Sequence, residues 1–257
     1  HLRFGWRRGN ERDLQEFAAR WPAQVRFVAE FGSESIPDDH DFLAGFWPGL
    51  TADALVNDYA YSPNSFERYV PPTDYSTLDS WAHASQQYQA GLLRRQRETL
   101  RRLKYRPRGG FCSHPLDDTM PTISGSLVDS KGNHKLAYKA VRDACLPVII
   151  VSDRLPRNLD PGDPVALDIH VVNDQRNSLS GATVDASLSW PGDHHEWRFT
   201  GDVEADSVAR VGTISWIVPE APGRVTLNLR LTGPVEAVNR YDATIREPRI
   251  SALSLED

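Results

Sequence analysis

From Pro147 onward the apolar residues fall on every second position, and no other feature restricts the fold so tightly. Val165, Leu167, Ile169 and Val171 alternate with polar residues; so do Val184, Ala186, Leu188 and Trp190, and later Val225, Leu227, Leu229 and Leu231. Successive side chains of a strand point to opposite faces, so each run buries one face and leaves the other to water. VIIV (148–151), HEWRF (195–199), ARVGTISWIV (209–218) and NRYDATI (239–245) add further strand candidates. Between them stand turn signals: Asp160-Pro161-Gly162-Asp163, Ser180-Gly181, Pro191-Gly192-Asp193 and Pro222-Gly223. About seven strands in roughly 100 residues predict an immunoglobulin-like β-sandwich.

The first part of the chain follows a different rule. Short apolar strands, expected over 24–29 and 110–116, alternate with helices expected over 13–20, 77–104 and 134–145. This α/β texture predicts parallel strands joined by helical crossovers. It gives way to pure strand near residue 147, which divides the chain into domains 1–147 and 148–257. The 77–104 helix has Ser76/Thr77 at its start and Asp79 in its first turn, while Pro107 and Gly109-Gly110 close it. Leu92, Leu93, Leu100 and Leu103 are its expected buried face. The run LLRRQRETLRRLKYRPR reads as a solvated helix face whose last charges suit the helix dipole. The Pro- and aromatic-bearing stretch 38–72 is expected to form loops and short helices near a site.

A net charge of −6 argues against a nucleic-acid partner, and no apolar run is long enough to span a membrane. Cys112 and Cys145 are too few for a disulfide framework and read as buried thiols of a reducing compartment, with a single bridge as the alternative. A cytoplasmic location follows, although a cleaved secretory signal would leave no trace. No cysteine–histidine spacing suits zinc; His194-His195 reads as a turn pair, and no cofactor is implied. The chain opens directly on patterned sequence at His1 and carries its single methionine at Met120, so it reads as the later part of something longer.

Glu30 interrupts the first strand at its end, in RFVAEFGSESIP (26–37). In a β/α barrel, groups that do chemistry project from the C-terminal ends of strands. A carboxylate there suits a nucleophile, a general base or a metal ligand. RFVAEFGSESIP resembles the nucleophile segment of glycoside hydrolase family 2, especially its β-mannosidase-like branch. Four more segments resemble that family in the same order: HLRFGWRRG (1–9), DLQEFAARWPAQVRFVAEFG (13–32), SQQYQAGLLRRQRETLRRLKYRP (85–107), and the stretch from GGFCSHPLDD to LPVIIV (109–151).

The resemblance implies the C-terminal portion of a (β/α)8 barrel followed by the sandwich, and retaining hydrolysis of a terminal β-glycoside. Glu30 maps onto the nucleophile. Trp6, His114 and Asp118 map onto substrate-contacting positions, though core packing for Trp6 and loop bracing for Asp118 compete with that role. The family's acid/base glutamate lies about a hundred residues before the nucleophile. Asn10-Glu11 imitates its Asn-Glu pair, but lies too near Glu30 and reads as a helix start. The expected partners are therefore a carbohydrate and the missing N-terminal part of the same enzyme, without which this chain is inactive. His114, Met120 and Gly125 stand where tryptophans are common in the family, with Met120 read as packing, and Glu34 replaces a usual glutamine. These departures keep open a second reading, a catalytically lapsed member serving as a carbohydrate-binding or assembly subunit. The sequence does not separate mannoside from galactoside or glucuronide.

Overall fold

The computed structural model describes residues 3–4, 10–49, 53–106, 109–112 and 115–247. It divides into two compact units, 1–146 and 147–257. The secondary structure is mixed, with more strand than helix in the second unit.

In the first unit the elements run β1 (Arg3–Phe4), α1 (Asn10–Arg20), β2 (Phe27–Val28), β3 (Glu30–Phe31), α2 (Asp53–Asp58), α3 (Pro63–Tyr69), α4 (Leu78–Arg102), β4 (Gly110–Phe111) and α5 (Leu136–Ala144). β3 pairs in parallel with β1, and β2 pairs in parallel with β4. The stretch 27–31 therefore has a parallel neighbour on either side. Leu14 of α1, Val28 of β2 and Leu100 of α4 are buried together, with Phe31 and Phe111 packed against them.

Several expectations need correction. The strand expected over 24–29 begins instead as a 3-10 turn, Pro22–Val25, because Pro22 sits at its first position and presets a helical φ. What remains is split into β2 and β3. Of the strand expected over 110–116, the described residues form only the two of β4, and Cys112 N–H extends the ladder to the Val28 carbonyl (3.1 Å). Helix α5 starts at Leu136 rather than at residue 134.

The stretch 38–72 folds as short helical pieces around an aromatic core, with Phe66 and Trp81 wholly buried and Tyr61 nearly so. α4 begins on a capping box: Thr77 Oγ1 accepts from Ser80 N–H at 3.1 Å, and the Ser80 hydroxyl lies 3.3 Å from Thr77 N–H. Leu92, Leu93 and Leu100 are buried as the pattern requires, whereas Leu103 is only half-buried. The arginine run is not a solvated face. Arg97 and Arg101 are buried, because Phe31 of β3 lies against Arg97 and α5 packs along the helix and reaches Arg101. Arg101 Nη1 donates to the Ala144 carbonyl at the end of α5 (2.8 Å), satisfying a carbonyl that the helix leaves open.

The second unit contains β5 (Val148–Ser152), β6 (Asn158–Leu159), β7 (Pro164–Asn173), β8 (Leu179–Trp190), β9 (Asp193–Val203), β10 (Ser207–Ile217), β11 (Gly223–Thr232) and β12 (Ala237–Ile245). These eight strands of the described residues form a three-stranded sheet, β10-β7-β5, and a five-stranded sheet, β6-β12-β11-β8-β9. Pairing is antiparallel apart from β6 with β12. Ile150, Leu167, Ile169 and Val171 of one sheet share a core with Val184, Leu188, Leu227 and Leu229 of the other, a sandwich-like layering. The ladder of β10 slips between Arg210 and Gly212, and a Cβ on Gly212 would lie 2.2 Å from the Phe199 ring. His194 and His195 open β9 rather than forming a turn, and His195 stacks between Trp190 and Trp197. Cys112 and Cys145 are both exposed free thiols, not buried ones.

Candidate functional site

Glu30 stands on the solvent-facing side of the parallel array. Val28 is fully buried and Phe31 packs against the helices, whereas Phe27 (55% exposed) and Glu30 lie open. At β3 successive side chains take opposite faces, so packing Phe31 against α4 turns the Glu30 carboxylate away from it. Gly32 ends β3 at φ +123°, where a Cβ would sit 2.6 Å from Leu93 Cδ2; only glycine lets the backbone come this close to α4.

Directly after Gly32 the chain is strapped to α4 by polar side chains inside the core. Gln89 Nε2 donates to the Ser33 and Ser126 carbonyls (3.0 and 3.3 Å), and its Oε1 accepts from the Ser35 hydroxyl (2.8 Å). Ser85 Oγ accepts from Ile36 N–H, and Gln86 Nε2 donates to the Ile36 carbonyl and to Asp38. These bonds hold the strap's backbone against α4; the buried Ser33 hydroxyl is the exception and makes no hydrogen bond among the described residues.

The loop leaving β4 is braced as firmly. Asp118, its side chain 5% exposed, accepts from the Ser124 hydroxyl (2.8 and 2.9 Å) and the Ser126 hydroxyl (2.5 Å). Lys135 Nζ, wholly buried, lies 3.7 Å from Asp118 and 3.4–3.5 Å from the Ser35 and Ser124 carbonyls. Burial pushes the Lys135 ammonium down to about 8, and Asp118, Asp129 and Asp38 offset only part of that. Burial alone would raise the Asp129 carboxyl. Hydrogen bonds from the Asn133 side chain and backbone, with Asp39 and Lys131 N–H, instead hold it below its usual range.

Behind β3, the Arg97 guanidinium lies 4.9 Å over the Phe31 ring, and its Nη1 donates to the Leu93 carbonyl at 3.2 Å. Burial lowers Arg97 to about 10, against the contrary pull of Cys145.

Of the sequence-derived site residues, the structure therefore places Glu30 in the open and Asp118 in a closed hydrogen-bond brace. Trp6 and His114 lie outside the described residues. Glu11 belongs to the first turn of α1. Met120 is 61% exposed and Leu116 62%, so Met120 is not packed as expected. Glu34 is half-buried. Sequence reasoning missed Gln86, Gln89 and Lys135. The glutamines did leave a trace: they sit three apart on the same helical stripe as Ala82, Leu92 and Leu93, where an apolar residue is the rule. Lys135 left none. Among the described residues no cluster of His, Cys, Asp or Glu is arranged to hold a metal, and no helix is long and apolar enough to cross a membrane.

No family model and no curated protein sequence matches the chain. Among solved structures it is similar to the exo-chitosanase CsxA of Amycolatopsis orientalis, at 17% identity and a TM-score of 0.62, covering 85% of this chain and 27% of that one. It is similar also to a β-D-mannosidase from Dictyoglomus thermophilum, at 16% identity and a TM-score of 0.60, with the same 85% and 27% coverage. The chain thus spans about a quarter (27%) of the length of these enzymes. At such identity the likeness is one of fold, and the fold it shares is that of part of two glycosidases.

Proposed function

We propose that this chain is the C-terminal portion of a retaining exo-β-glycosidase of glycoside hydrolase family 2, β-mannosidase-like, with Glu30 as its nucleophile. The observation that carries the reading is Glu30 itself, an open carboxylate in a parallel strand array inside a fold shared with two glycosidases. The array reads as consecutive strands of a (β/α)8 barrel, and the second unit as an immunoglobulin-like sandwich. A barrel interior is filled with side chains, so the exposed Phe27, and β1 and β4 with one strand partner each among the described residues, fit an array that further strands complete.

In this reading a Glu30 oxygen attacks the anomeric carbon as the bond to the leaving oxygen breaks. A second carboxylic acid, about 5–5.5 Å away and supplied by the completing segment, gives that oxygen its proton. The same group then takes a proton from water, which displaces Glu30 from the sugar. Asp118, tied to two serines and neighboured by Lys135, holds the loop beside β4 and thereby shapes the pocket wall. The substrate is a terminal β-glycoside; mannose and glucosamine configurations come first because the similar structures act on them by name.

The test is covalent trapping in the completed enzyme with 2-deoxy-2-fluoro-β-D-glycosyl fluorides of manno, gluco and galacto configuration. A peptide adduct on Glu30, absent in Glu30→Gln, is the expected result. Sugar binding with no adduct across the panel would overturn it in favour of a lapsed, binding-only member.

A further inference from the structure

α4 carries a charge where a helix facing a core normally has none. Arg97 is wholly buried, and a desolvated cation costs several kcal/mol unless nearby groups offset it. One of its contacts is the Leu93 carbonyl on its own helix. Another is the face of Phe31, 4.9 Å away, the geometry of a cation–π pair. Phe31 follows Glu30 directly, and its ring meets Phe111 beside it edge-on, with centroids 5.7 Å apart and planes at 72°.

Leu93, four residues before Arg97 on the same helical face, fills the space against Gly32. Glu30 is therefore followed by two residues, each held from behind by one turn of α4. Backbone and side-chain directions are coupled along a strand, so any roll of β3 that moves Phe31 re-aims Glu30 by the same angle.

We propose that Arg97 is a positioning residue for Glu30: by clamping the Phe31 ring from the helix side, it fixes the roll of β3 that aims the carboxylate at the anomeric carbon. This rests on the hydrolase reading above. A contact that acts on aim rather than on substrate affinity slows the chemical step and leaves binding alone. Misplacement of a reacting group by about 1 Å costs up to roughly 100-fold.

The experiment compares Arg97→Met, Arg97→Lys and Phe31→Leu in the completed enzyme, reading kcat, KM and the rate of Glu30 labelling by the fluoroglycosides. Met keeps the length and apolar bulk of the arginine stem without its charge; Lys keeps the charge. For Met the expected result is kcat and labelling about 10-fold slower, with KM within about 2-fold. Lys restores most of the rate. Phe31→Leu reproduces the loss and adds nothing when combined with Arg97→Met.

A purely packing role gives the opposite order, with Met tolerated and Lys damaging, and would overturn the inference. So would equal labelling rates in wild type and Arg97→Met. If Arg97→Met does not fold, Phe31→Leu with wild-type kinetics overturns it equally. A wild-type enzyme that takes no label defeats the hydrolase reading itself, and this inference with it; a labelled wild type with an unaffected variant defeats this inference alone.

Discussion

At the scale of single residues, Lys135 sets the clearest pH signature. Its ammonium titrates near 8 in the folded protein against 10.5 in the unfolded chain. Between those values the unfolded state binds the extra proton, so stability gained from this group rises with pH. Below pH 8 the full cost is present, about 3 kcal/mol for a shift of this size. Tyr61, pushed up to about 12 first by burial and then by Glu67, acts in the other direction: its share of stability is complete below pH 10 and is lost from 10 to 12. Urea titrations of wild type and Lys135→Met at pH 7.5, 9 and 10 isolate the lysine. Wild type should gain on the variant by up to about 3 kcal/mol across that range; a difference that does not change with pH would contradict the assignment. None of this was readable in KGNHKLAYK, where Lys135 looks like any other surface lysine. Ser35, one of the groups that bury it, lies 100 residues away, and Asp118 and Ser124 belong to the loop that follows β4.

At the scale of elements, α4 shows where sequence patterns succeed and where they stop. Ser76/Thr77 and Asp79 announce the start of the helix by local chemistry, and the helix starts there. Thr77→Ala should cost about 1 kcal/mol in a chemical melt, and Thr77→Ser close to nothing. The far half of the same helix misleads. Its arginines have the look of a solvated face, yet Arg97 and Arg101 are enclosed by β3 and α5, because their exposure is decided by what packs on the helix and not by the helix. Strands divide in the same way. In the second unit the alternation of Val165–Val171 and Val225–Leu231 is long enough to fix both element and face. In the first unit β2, β3 and β4 are two residues each, too short for any period to register. Glu30 was legible only as part of a longer segment, and its solvent-facing side only from the packing of Val28 and Phe31.

At the scale of the whole molecule the two units differ in self-sufficiency. Residues 147–257 own a core drawn from both sheets, and expressed alone they should melt in one cooperative transition with dispersed NMR amide signals. Residues 1–146 bury several smaller clusters, and among the described residues Phe27 is exposed and β1 and β4 each have a single strand partner. In the barrel reading proposed above, that unit alone should self-associate on sizing columns, and adding a segment that supplies the remaining strands should return it to a single species. A monomeric, well-folded 1–146 would argue against further strands.

In the barrel reading the margins also set the direction of the strands that would meet them. β1, β3, β2 and β4 run the same way, and a further strand that keeps this direction cannot be reached by a hairpin; it needs a crossover of a dozen or more residues, usually a helix. In the barrel reading proposed above, a short synthetic peptide laid along β1 or β4 would thus be a poor substitute for βα units, and complementation in trans would require a fragment of domain size.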